Sequence, residues 1–237
     1  VIVAEADEFD RSFLQLFPEI AVITSMDPDH LDIYGDEAHI REAFKAFASQ
    51  VSGTVIVKYG LDITPEDTKA KIATYAYDNP SADFYAEPLE GEHFNLHYPG
   101  GVIEDCVVGI PGWVNIENGT GAAAIALTYG IDPLKIKKAL ASFSGVKRRF
   151  DKQLEKDGII YIDDYAHHPN EISAAISSIK GRYPDHKFTA IFQPHLYTRT
   201  RDFAEEFAIA LSQVDRLILL DIYPAREEPI PGVTSEI

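Results

Sequence analysis

Gly158-Ile-Ile-Tyr-Ile-Asp-Asp-Tyr-Ala-His-His-Pro-Asn-Glu171 joins an apolar strand pattern over Gly158–Ile162 to the start of a helix expected over 170–181. Two further apolar runs, Phe188–Phe192 and Arg216–Asp221, follow with a second helical pattern over 200–213 between them. Strands alternating with helices of this length predict a parallel sheet with helices on its faces. Upstream lies Ser144-Gly145-Val146-Lys147, which reads as a linker. Before the linker, residues 1–4, 20–24 and 54–57 are near-continuous apolar runs of the kind found in buried parallel strands. Ile40, Ala43, Phe44 and Phe47 recur at helical spacing within 37–50. Between 71 and 109 short stretches alternate with Asn-Pro, Glu-Gly and Pro-Gly-Gly turn signals, which predicts antiparallel ribbon. Helices are expected over 115–129 and 133–143, the second opened by Asp132 as cap and Pro133 at the first helical position. The organisation is two α/β units joined near 144–147, the first incomplete at its N-terminus.

The 237 residues are 46% hydrophobic and 25% charged, which excludes a disordered or collagen-like chain. No apolar run approaches the ~20 residues of a membrane-spanning helix. The single cysteine, Cys106, allows no internal disulfide and points to a reducing, cytoplasmic setting. A net charge of −17 argues against non-specific nucleic-acid binding and against an anionic membrane surface. An anionic ligand then needs a local basic cluster or a metal. The chain opens Val1-Ile2-Val3-Ala4 with neither Met nor a signal-peptide pattern, and 230–237 adds no closing element. The opening reads as a buried strand entered midway, so a piece of a longer protein is expected.

Six clusters carry polar chemistry. Glu5-Ala-Asp-Glu-Phe-Asp10 and Asp27-Pro-Asp-His-Leu-Asp32 each follow an apolar run, at the strand ends where open α/β sheets bind ligands. Carboxylates there suit a hard cation such as Mg²⁺; the bland reading is a solvated acidic loop. Asn115 and Asn118 lie three apart on one helix face and suit an adenine edge, or simply a cap. Lys147-Arg-Arg-Phe150 concentrates cations in an acidic protein and is either a phosphate contact or a basic surface turn. Residues 163–171 crowd Asp164, Tyr165, His167 and His168 at a strand end, or form a capped helix with exposed histidines. Gln193-Pro-His-Leu-Tyr-Thr-Arg-Thr-Arg201 places Arg199 and Arg201 near a helix start, where the dipole disfavours cations and a ligand anion would compensate. No Gly-Lys dipeptide occurs, so the chain has no Walker-type phosphate loop.

Together these stretches, with Arg148-Arg-Phe-Asp151 and Asp221-Ile-Tyr-Pro-Ala-Arg-Glu227, resemble the Mur ligases, ATP-dependent amide-forming enzymes of peptidoglycan synthesis, in family order over essentially the whole chain. The resemblance is closest to the alanine-adding branch. It implies an α/β fold: an incomplete central ATPase domain over 1–146, without its phosphate loop, and most of a Rossmann-like C-terminal, amino-acid-binding domain over 147–237. It implies ATP and Mg²⁺ as cofactors, UDP-N-acetylmuramate and L-alanine as substrates, and a monomer or homodimer. By position, Glu5 and His30 match Mg²⁺ ligands, Asn115 and Asn118 the adenine motif, Arg149 an ATP contact, and Asp164 the ribose-binding acid. Tyr165, His167, His195 and Arg199 match the surroundings of the incoming amino acid. His30, Arg149, His167 and Arg199 are the expected catalytic set.

Three departures stand out. Val114 replaces the histidine of the adenine motif. Phe44, with Lys45 beside it, occupies the place of a carbamoylated lysine that the alanine-adding branch also lacks. Leu196 stands where many relatives carry arginine, leaving Arg199 as the main carboxylate clamp. The implied chemistry is attack of a carboxylate on the γ-phosphate to give an acyl phosphate, then displacement of phosphate by an amine. Competing readings are a murein-peptide recycling ligase, a metal-dependent phosphohydrolase using Glu5, Asp29 and His30, and a non-catalytic remnant.

Overall fold

The computed structural model describes residues 1–27 and 34–236, which fall into two compact units: 1–109 with 113–143, and 110–112 with 144–237. His30 and its neighbours in the second acidic cluster lie outside the described residues.

The first unit is built on a sheet with described strands β1 (Ile20–Ile23), β2 (Thr54–Lys58), β3 (Lys71–Tyr77), β4 (Phe84–Pro88), β5 (Phe94–Tyr98) and β6 (Gly101–Cys106), in that spatial order. The β2 sequence shows why the sheet is sandwiched. Val55, Ile56 and Val57 are all buried. Val55 and Val57 pack with Ile40, Ala43 and Phe47 of helix α1 (Glu37–Ser49), while Ile56 packs with Ala124 of helix α2 (Trp113–Tyr129). Alternate side chains of one strand therefore meet helices on opposite faces, which is why the run is apolar throughout. Helix α2 lies close to the sheet because its residues there are small: a Cβ on Gly121 would stand 3.1 Å from the Tyr75 ring. Helix α3 (Pro133–Ser142) starts as the sequence predicts, with the Asp132 carboxylate accepting from the N–H groups of Leu134 and Lys135. Cys106 is fully buried with Phe94, Leu96, Ile116 and Ile136.

The structure corrects two expectations in this unit. Residues 1–4 are no buried strand: residues 1–8 carry no helix or strand, and Val1, Ile2 and Val3 are 92%, 94% and 90% exposed. A strand needs a ladder partner, and within the described residues β1 pairs only with β2. Second, the 71–109 segment is antiparallel only from β4 onward; β3 and β4 run parallel. The short return is held by Asp83, whose carboxylate accepts from the Thr74 N–H and hydroxyl at 2.8 and 2.9 Å while Thr74 Oγ1 accepts from the Asp83 N–H.

In the second unit, β7 (Asp151–Lys156) and β8 (Ile159–Asp163) form an antiparallel hairpin, and β9 (Thr189–Phe192) pairs in parallel with β10 (Arg216–Leu219). Helix α4 (Pro169–Arg182) follows β8. The single helix expected over 200–213 is two, α5 (Tyr197–Asp202) and α6 (Ala204–Leu211), broken at Phe203. Ile172 and Ile176 of α4 pack with Phe207, Ala210 and Leu211 of α6, with Phe188 and Phe192 beneath. The mixed α/β class is as expected. The expected pairing of all three predicted strands is not: among the described residues β8 pairs with β7, antiparallel. The turn explains this. Asp157 and Gly158 have φ of 53° and 76°, the left-handed pair of a two-residue hairpin. The β7 sequence, Asp-Lys-Gln-Leu-Glu-Lys, is largely exposed and lacks the apolar pattern that would have announced it.

The cap on α3 is separable from packing, because Asp132 is exposed. Asp132→Ala leaves two helix-end N–H groups without their acceptor and should lower stability by ~1 kcal/mol. Urea unfolding followed by circular dichroism checks it; an unchanged midpoint would show that the cap contributes nothing.

Candidate active site

The candidate residues of the second unit stand on four loops that meet. The chain enters through Arg148, Arg149 and Phe150, and both Arg148 (φ 62°) and Phe150 (φ 50°) adopt left-handed backbone, which is unfavourable for side chains with a Cβ. Asp164 holds them there. One of its oxygens accepts from the Phe150 N–H at 2.7 Å and the other from the Ala166 N–H at 2.8 Å. The Arg148 carbonyl accepts from the Tyr165 N–H at 2.7 Å, and the Arg148 guanidinium lies 4.4 Å from the centre of the Tyr165 ring. Asp164, expected as a ribose acid, has a structural role in holding these loops.

Glu171 gathers the next loop. It is the third residue of α4 and forms a capping box with His168, whose side chain accepts from the Asn170 N–H. The Glu171 carboxylate accepts from the N–H groups of His167 and His168 at 3.0 and 3.3 Å, lies 3.4 Å from His167 Nδ1, and receives Arg149 at 3.3 Å. Burial alone would raise its pKa. The His167 N–H, the charges of His167 and Arg149, and the His168 N–H outweigh burial and hold the carboxyl below its ordinary value.

The third segment carries His195 in its loop and Arg199 in α5, and the fourth, 221–227, pins it. The Leu196 N–H donates to the Tyr223 carbonyl and the Tyr223 N–H to the Pro194 carbonyl, and the rings of His195 and Tyr223 stack at 5.5 Å. Glu227 accepts from the Thr198 N–H at 3.0 Å and from its hydroxyl, fixing the first turn of α5 from 29 residues away. Burial lowers the pKa of His195, and the nearby positive charges of Arg199, His167 and Arg226 act in the same direction against Glu227. Tyr165 touches His167 with ring centres 5.3 Å apart. Arg199 is buried. Leu196, between His195 and Arg199 in sequence, is buried with φ 71° and ψ 136°, a conformation that favours glycine. Strain of this kind concentrates at functional sites. The guanidinium of Arg199, in a chain of net charge −17, suits an anionic group such as a carboxylate or phosphate.

In the first unit Asn115 and Asn118 sit in the opening turns of α2, half-buried and exposed respectively. Between them Glu117 is buried and pairs with Lys58, at the end of β2, at 2.8 Å. Nothing in the sequence pattern announced that pair, because a lone Glu in an Ala-rich helix reads as surface. Lys45, beside Phe44, is engaged by Asp62 at 3.1 Å and Asp67 at 3.4 Å. Glu5 is exposed and lies outside any strand. Among the described residues no group of three or more His, Cys, Asp or Glu side chains is placed to hold a metal ion, and no helix is long and apolar enough to cross a membrane.

Comparison with known proteins matches the chain to one class. Residues 2–126 match the Mur ligase middle domain, and residues 148–236 match the Mur ligase glutamate ligase domain. The chain belongs to the Mur ligase family. It is 52% identical over 99% of its length to a UDP-N-acetylmuramate–L-alanine ligase of Parabacteroides distasonis and 46% identical over its full length to one of Porphyromonas gingivalis. It covers 52% and 54% of those two proteins, so it spans about half the length of the relatives it matches. In fold it is similar to the crystal structure of the UDP-N-acetylmuramate-alanine ligase of Thermotoga maritima, with a TM-score of 0.71 at 24% identity over 90% of this chain and 48% of that one. It is also similar to a murein peptide ligase of Psychrobacter arcticus, with a TM-score of 0.59 at 18% identity, covering 88% of this chain and 51% of that one.

The Asp164 clamp is open to direct test. Asp164→Ala leaves the N–H groups of Phe150 and Ala166 without their acceptor, at a cost of ~1–3 kcal/mol, and Asp164→Asn, with one acceptor oxygen left, should cost less. Chemical denaturation of the 237-residue chain reads both. Equal stability of wild type and Asp164→Ala would mean that the carboxylate does not hold the loop.

Proposed function

We propose that this chain is the central and acceptor-binding part of an ATP-dependent ligase that joins L-alanine to UDP-N-acetylmuramate. The observation that carries the reading is 46–52% identity, over essentially the whole chain, to proteins bearing that name. On this reading the first unit belongs to the ATP-binding domain and the second to the amino-acid-binding domain. Asn115 and Asn118 offer amide donors and acceptors to an adenine edge. Arg149 neutralises charge building on the transferring phosphoryl group, and Asp164 adds a ribose contact to its role in the loop. Glu5 and His30 are the proposed Mg²⁺ ligands. The described residues do not assemble a metal site by themselves, so no step below passes through the metal.

The acceptor half of the reaction follows from the second unit. Arg199 clamps the carboxylate of the incoming amino acid through its two-pronged guanidinium. Tyr165, His167 and His195 surround the amine. The depressed pKa of His195 favours an uncharged ring at neutral pH, which can accept a proton and does not repel an ammonium group. The amine attacks the acyl phosphate, the tetrahedral intermediate collapses, and phosphate leaves.

Two outcomes test this reading. The 237 residues contain no Gly-Lys phosphate loop. The chain alone should therefore release no phosphate from ATP with UDP-N-acetylmuramate and L-alanine, whereas a full-length ligase carrying it should. Turnover by the chain alone, or none with the complete protein, would contradict the proposal.

In that complete ligase Arg199→Lys should raise the KM for L-alanine at least about tenfold, because a point charge does not reproduce a paired guanidinium contact and ~1.4 kcal/mol is already a factor of ten. The KM for ATP should move much less. Steady-state kinetics with each substrate varied in turn decides it; an unchanged alanine KM, or an equal rise for ATP, removes Arg199 from the acceptor site.

A further inference from the structure

Glu171 has no role in the reaction as set out above, yet its carboxylate contacts two residues that do. One oxygen receives the Arg149 guanidinium at 3.3 Å. The other accepts the backbone N–H of His167 at 3.0 Å and lies 3.4 Å from His167 Nδ1, which is itself 3.0 Å from the Tyr165 carbonyl. Arg149 arrives from the chain entering β7 and His167 from the loop leaving β8. Without a shared anchor their side chains would sample separate arrangements. Position 171 is also fixed in its own right, because it lies in the first turn of a 14-residue helix opened by Pro169 and capped by His168. An anion at a helix N-terminus is favoured by the helix dipole, which keeps the carboxylate charged and in place.

We propose that Glu171 is a positioning residue of the transfer site: one carboxylate, anchored in the first turn of α4, sets the places of both the Arg149 guanidinium and the His167 ring. This rests on the reading of Arg149 and His167 as reaction groups. It differs from a capping role in one testable respect. Capping needs only an acceptor oxygen, which glutamine supplies as well as glutamate does. Holding a guanidinium in place draws on the negative charge, which glutamine lacks.

Glu171→Gln therefore separates the two roles. In the 237-residue chain the variant should unfold at the wild-type temperature and keep the exchange protection of the His167 amide, while the Arg149 side-chain N–H signal, resolved by nitrogen-15 NMR in the wild type, should be lost to averaging. An Arg149 signal equally resolved in wild type and variant would overturn the proposal, whatever the ligase assay shows. In the full-length ligase, Glu171→Gln should lower kcat/KM for ATP by about tenfold, and Glu171→Asp should restore part of it. Combined with Arg149→Met, Glu171→Gln should add little further loss, since the glutamine oxygen still meets His167 and the lost charge acts on the group already removed. Multiplying losses would show that Glu171 does not work through Arg149 and would overturn the proposal. A wild-type ligase without activity would refute the proposed function instead, and the NMR comparison would still decide the role of Glu171.

Discussion

A backbone N–H donated to a side-chain carboxylate is the contact on which the second unit depends. Asp164 takes the N–H of Phe150 and Ala166, Glu171 those of His167 and His168, and Glu227 that of Thr198. Loops that leave strand ends have no ladder to satisfy their amides, and a buried amide without a partner is costly. Carboxylates are the strongest neutral-pH acceptors the sequence can supply. Each of these three holds a segment from which a candidate side chain projects: Arg149, His167 and Arg199. The acidic composition has a local use here. Part of the −17 charge fixes the loops that carry the cations.

The first unit reaches order by a different route. Its helices cover both faces of the parallel strands, so position follows from apolar packing of Val55, Ile56 and Val57 rather than from polar clamps. The Lys58–Glu117 pair adds an ionic tie between the end of β2 and the opening of α2. Removing Lys58 leaves the buried Glu117 carboxylate without its cation, the costly direction, whereas Lys58 itself is partly exposed to water.

Much of this was legible in the sequence. Periodicity and one cap located α1 through α4 to within a few residues, because an amphipathic stripe, an Ala-rich run and an Asp-Pro start are local signals. Strand partners were harder to read. β7 is polar on both faces, and its one clear cue was the Asp157-Gly158 turn, which read as the beginning of a strand rather than as the middle of a hairpin. Val1–Val3 carried the opposite error, an apolar composition without a ladder to join. At the site, the motifs named the candidate side chains. The carboxylates behind them were harder to find, since Glu227 meets Thr198 across 29 residues and only the fold brings them together.

Cys106 gives the two-unit organisation a practical use. It is the only thiol in the chain, and it lies at 0% exposure in the core beneath α2 and α3, while the second unit has none. A thiol reagent in solution can therefore react only when the first unit opens. The rate of labelling under native conditions times that opening by itself, and the second unit contributes no signal to it.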